Sequence, residues 1–147
     1  MNAVSIAARP ALSAILVTAL IALAAYSSVA IGEDVKVTLS GDQEVPPVKT
    51  AGTGSGTISV SVDKSVSGSV TTTGVAGTMA HVHEAVAGKN GPVVLPLSKS
   101  RDSTWSVPAG AKFTDAQYKS FKAGNLYINI HSAANPAGEV RGQLKPQ

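Results

Sequence analysis

Apolar and polar residues alternate along this chain in a series of short runs. Val35-Lys36-Val37-Thr38-Leu39 reads as a half-buried strand, and Thr57-Ile58-Ser59-Val60-Ser61-Val62 alternates strictly. Asp63-Lys64-Ser65 then reads as a turn, and a second alternating stretch over residues 66–75 completes a hairpin. Between the first two runs, residues 40–56 hold Pro46, Pro47 and several glycines, and this composition predicts a long loop or irregular edge. Further short strands are predicted over residues 78–85, 93–97, 103–107, 126–131 and 139–144. One helix is predicted, over residues 114–123. Thr114 is its N-cap, Asp115 suits its first turn, and Gly124 stands where a C-cap glycine belongs. Tyr118 and Phe121, three apart, share its inner face. About eight short strands with frequent turn signals predict an all-β domain with one short helix: a single Greek-key sandwich or barrel of the immunoglobulin or superoxide-dismutase kind.

The first thirty residues have a different pattern. Arg9 is their only charged side chain, and residues 11–25 form an apolar run broken only by Ser13 and Thr18. Ser28 and Ala30 then supply small residues at the −3 and −1 positions of a cleavage site. This is the order of a secretory signal peptide, residues 1–30, leaving a domain over residues 31–147 that is exported and either periplasmic or secreted. The apolar run is short against the roughly 20 residues of a membrane span, so no membrane attachment is expected after cleavage. Without Arg9 the chain keeps 11 basic and nine acidic residues, a formal charge of +2, and no basic cluster, so nucleic acid is not an expected partner. There is no cysteine. A domain of this size outside the cytoplasm must then rely on its core, a metal or a second subunit rather than on disulfides.

Candidate chemistry concentrates in the three histidines. His81 and His83 are two apart on a predicted strand, so their rings share a face. His131 has the opposite parity to Leu126, Ile128 and Ile130 on its own strand. All three imidazoles therefore leave the core faces, and they converge if the two strands are neighbours. Three imidazoles with an open fourth position suit copper or zinc. Glu84, Glu139 and Asn129 are candidates to hold the second ring nitrogens. Met79 has the parity of His81 and His83, and reads either as a soft copper ligand or as ordinary packing. Glu139 and Arg141 suggest a structural ion pair. No nucleophile elbow occurs, and Gly52-Thr53-Gly54-Ser55-Gly56 lacks the lysine and helix of a phosphate loop.

Five blocks in order resemble the CHRD family, a domain named from chordin and found in many bacterial exported proteins. They are Leu39-Ser40-Gly41-Asp42-Gln43-Glu44-Val45-Pro46-Pro47, Ala80-His81-Val82-His83, Asn90-Gly91-Pro92-Val93, residues 123–131 and residues 135–144. The resemblance implies a compact β domain outside the cytoplasm, with all three histidines inside the family motifs. One departure stands beside them: Glu84-Ala85-Val86 replaces the usual Gly-Pro-Ala. His81-Val82-His83-Glu84 is also similar to the H-V-H-E of copper–zinc superoxide dismutases. Those enzymes need four copper histidines and a zinc site, which three histidines cannot build.

The leading expectation is a binding protein holding copper, with zinc the other candidate, through His81, His83 and His131, for storage, delivery or electron transfer. A metal-free module binding a protein or glycan is the alternative, and a copper redox enzyme is a third reading. A homodimer is expected if a second subunit covers the histidine face.

Overall fold

The computed structural model describes residues 32–147, so the signal peptide expected at residues 1–30 lies outside the described residues. Nine strands form: β1 (Gly32–Ser40), β2 (Thr53–Ser61), β3 (Val66–Thr73), β4 (Gly77–Glu84), β5 (Val93–Pro96), β6 (Ser98–Arg101), β7 (Thr104–Ser106), β8 (Leu126–Ser132) and β9 (Val140–Leu144). They pair antiparallel in the order β5-β4-β8-β9-β1-β2-β3-β7-β6. Only Leu97 separates β5, which pairs with β4, from β6, which pairs with β7. Leu97 N–H donates to Ala80 O at 2.9 Å, bringing the sheet back on itself as a nearly closed barrel. β4, β5–β6 and β7 lie side by side in chain order, and β8 returns to lie beside β4, the Greek-key arrangement.

The alternation in the sequence explains the core. Val35, Val37 and Leu39 of β1, Ile58 and Val60 of β2 and Val66 and Val70 of β3 point inward and are buried. They meet Ala80, Val82, Leu126, Ile128, Ile130, Val140 and Leu144 from the other side of the barrel. Full burial of each large aliphatic side chain contributes about 1.5–3 kcal/mol. The return connection between β7 and β8 carries α1 (Asp115–Lys122). Its N-terminus is a complete capping box: Gln117 N–H donates to Thr114 Oγ1, and Thr114 N–H to Gln117 Oε1. Gly124 ends it with φ +72°, and Phe121 drops into the core beside Phe113.

Two expectations need correction. Residues 53–56 belong to β2 rather than to the loop before it, and β1 runs to Ser40. The glycines there lie against the neighbouring strand: a methyl group at Gly56 would stand 2.0 Å from Ser69 O. β6 was not expected, because Ser-Lys-Ser-Arg has no apolar position and all four residues are exposed.

β8 positions the site. All seven of its residues are buried, on both faces. Leu126, Ile128 and Ile130 enter the core, while Tyr127, Asn129 and His131 point out of the barrel and are covered by loops.

Candidate metal centre

The registers of β4 with β8 and of β8 with β9 lay out the outer face. Met79 stands opposite His131, His81 opposite Asn129, and His83 opposite Tyr127; beyond β8, Arg141 faces Asn129 and Gln143 faces Tyr127. The two histidine strands are neighbours, as convergence required. The ligating atoms of His81, His83 and His131 all lie within 4.8 Å of one another.

Backbone carbonyls orient two of the rings. His83 Nδ1 bonds Gly91 O at 2.9 Å, and His131 Nδ1 bonds Pro136 O at 2.9 Å. A carbonyl only accepts, so both Nδ1 atoms carry the proton and both Nε2 atoms present a lone pair. His81 Nδ1 lies 3.0 Å from His131 Nε2 and donates to it. His83 Nε2 is buried with no partner at all. A metal ion would replace the His81 proton and give His83 Nε2 the partner it lacks. The donor set is then His81 Nδ1, His83 Nε2 and His131 Nε2, neutral nitrogens suited to copper or zinc. Burial holds the pKa values of His81 and His83 below the usual histidine range, with the neighbouring imidazoles adding to the effect. Both rings are thereby kept in the neutral form that ligates.

Three loops roof this face. Residues 85–92 supply Gly91 O, and residues 133–139 supply Pro136 O. Residues 41–52 lie over both, tied by Asn90 Nδ2 to Val45 O at 2.7 Å and by Thr50 Oγ1 to Glu139 Oε1 at 2.8 Å. The Glu84-Ala85-Val86 departure keeps this path. Gly91 lies tight against the Glu84 carbonyl, where a methyl group would stand 1.8 Å from its oxygen, and Glu84 Oε1 accepts from Ser120 of α1.

Several expected partners are elsewhere. The second ring nitrogens are held by backbone carbonyls, not by Glu84 or Glu139, whose carboxylates face Ser120 and Thr50. Glu139 and Arg141 do not pair. Arg141 donates to Lys89 O, Asn90 Oδ1 and Gln143 Oε1, and its guanidinium lies 3.4 Å over the Tyr127 ring centroid. Tyr127 in turn stacks on His83, with ring centroids 4.9 Å apart and planes 8° from parallel. Met79, opposite His131 on the outer face, is 51% exposed. The chain's own loops cover His83 and His131, while His81 stays half-buried.

Glu44 was missed. It is buried beneath the first loop with Oε1 unpartnered, and burial raises its pKa to about 7 against the opposing influence of Arg141 and Asn129. A cleft of about 400 Å³ opens above Glu44 and Arg141, between Gln43, Pro47, Ala87 and Lys145.

Blocks far apart in sequence thus converge on one polar assembly outside the barrel. A family model described as the CHRD domain matches residues 35–144. The chain belongs to the CHRD-domain family. In this CHRD domain the matched segment runs from β1 to the end of β9 and contains the histidines, their carbonyl partners and the roofing loops. No characterised protein and no solved structure matches the chain.

Proposed function

We propose that this CHRD domain is an exported metal-binding protein that carries one copper ion on His81 Nδ1, His83 Nε2 and His131 Nε2, residues 1–30 being a cleaved signal peptide. The observation that carries the reading is the buried, unpartnered His83 Nε2 beside two further imidazole nitrogens. Copper is favoured over zinc because copper(II) stands highest among divalent first-row ions for nitrogen ligands. One open coordination position and a roofed site suit storage, delivery or electron transfer.

Calorimetric titration of copper(II) tests the reading. The protein should take up one equivalent per chain. His131→Ala should weaken binding by about 100-fold or more, since loss of an outer partner of a ligand already weakens metal affinity by about 10–100-fold. Equal binding by the two proteins, or binding by neither, would refute the site and turn attention to a metal-free module that binds a protein or glycan.

A further inference from the structure

Asn129 lies beside the three histidines on the same outer face. On β8 it stands between His131 and Tyr127, and across the ladder it faces His81. It is buried, yet only part of its amide is engaged: Nδ2 donates to Ala137 O at 3.3 Å, and Oδ1 has no partner. Two lone-pair atoms are therefore left open on one face, Asn129 Oδ1 and His83 Nε2. Neither can serve the other while His83 is neutral, because its single ring proton goes to Gly91 O; only a protonated His83 could donate to the Asn129 amide.

Turning the amide over does not resolve this, since it would set Oδ1 against the Ala137 carbonyl. Glu44 favours the same orientation. Its carboxyl and the Asn129 amide meet over Gly138, where a methyl group would stand 2.5 Å from Glu44 Oε1 and 2.6 Å from Asn129 Nδ2. With Glu44 ionised the Nδ2 side is surrounded by acceptors, and Oδ1 is the half of the amide left for the histidines.

An ion on three imidazoles would satisfy His83 Nε2 and leave Asn129 Oδ1 open. A water on the ion's fourth position would satisfy it, because metal-bound water is a strong proton donor and needs an acceptor. Resting on the three-histidine reading, we propose that Asn129 Oδ1 holds a water on the fourth coordination position and that Glu44 is a positioning residue that fixes the Asn129 amide. The fourth position is then selective for an oxygen ligand with a proton to donate, and works against proton-free anions.

The test uses the copper(II)-loaded protein, with relaxation of bulk-water protons as the readout for an exchanging bound water and azide as the proton-free competitor. The unmodified protein should show copper-dependent relaxation that azide suppresses. Asn129→Leu should keep one equivalent of copper, lose at least about half of that relaxation and bind azide about tenfold tighter, the worth of one hydrogen bond. Asn129→Val carries the same expectation should the leucine variant not fold. Glu44→Leu should tighten azide binding in the same direction with copper affinity unchanged, and Glu44→Gln should not. Unchanged relaxation and azide affinity in Asn129→Leu or Asn129→Val would overturn the role of Asn129, and unchanged azide affinity in Glu44→Leu that of Glu44. Failure of the unmodified protein to bind copper would instead remove the three-histidine reading, and this inference with it.

Discussion

Arg141→Leu is expected to destabilise the protein by about 3–5 kcal/mol, read as a lower denaturation midpoint in urea with an unchanged slope. Arg141 is only 1% exposed, and no carboxylate forms an ion pair with it. Its hydrogen bonds all go to neutral groups, with Glu44 acting on its charge only from beyond contact: Nη1 donates to Lys89 O at 2.8 Å and Asn90 Oδ1 at 3.3 Å, and Nη2 to Gln143 Oε1 at 3.1 Å. The Tyr127 ring supplies its electron-rich face below. Leucine can replace some of the packing but none of the donors. Oxygens of Lys89, Asn90 and Gln143 would then lose their partner in a part-buried setting, each at about 1–3 kcal/mol if no water reaches it. Arg141→Lys should not rescue, because one ammonium lacks the planar fork that reaches both strand and loop. The damage should extend to the metal site. Arg141 holds the 85–92 loop through Lys89 and Asn90, and that loop supplies the carbonyl that orients His83. A variant within 1 kcal/mol of the unmodified protein would show that this network contributes little to stability.

How much of this was legible in the sequence depends on what each residue signals. Strict alternation in residues 35–39, 57–62 and 126–131 identified both the strands and their inward faces, because period-two burial leaves its mark in residue type. Thr114 and Asp115 likewise marked the helix start. Ser98–Arg101 carried no such mark: a strand exposed at every position has no apolar face to show. At the site, parity correctly sent His81, His83 and His131 out of the barrel. Parity reports direction and is silent about cover, so the burial of that face had to come from the path of three loops. The partners of the ring nitrogens were illegible for a related reason. They are backbone carbonyls of Gly91 and Pro136, and a carbonyl has no residue type. Glu44 offered one signal, its place in the Gln43-Glu44-Val45-Pro46-Pro47 block. That the block folds over β8 became visible only through contacts such as Asn90 with Val45.

Glu44 gives the second large effect: Glu44→Gln is expected to stabilise the protein above neutral pH by about 3 kcal/mol and to be close to neutral at pH 4. Burial raises the folded-state pKa of Glu44 from 4.5 to about 7. Below about pH 4.5 the carboxyl is protonated in both folded and unfolded chains and contributes no pH dependence. Between about 4.5 and 7 the unfolded chain ionises while the folded one retains its proton, so the unfolded state gains and stability falls as pH rises. Above about 7 both forms are ionised and the whole penalty, about 1.4 kcal/mol for each unit between the two values, is in force. Glutamine keeps the shape and an acceptor oxygen without the charge. Urea denaturation of the two metal-free proteins at pH 4, 6 and 8 should therefore give stabilities that agree at the first value and diverge through the second. Parallel pH profiles would mean that water or Arg141 already solvates the carboxylate. A buried carboxyl with this penalty is a poor choice for stability alone. Its place makes sense beside a bound cation, whose charge across Asn129 favours the ionised form. Copper should accordingly narrow the pH-dependent difference in stability between the unmodified protein and Glu44→Gln, the contribution of His81 and His83 being common to both.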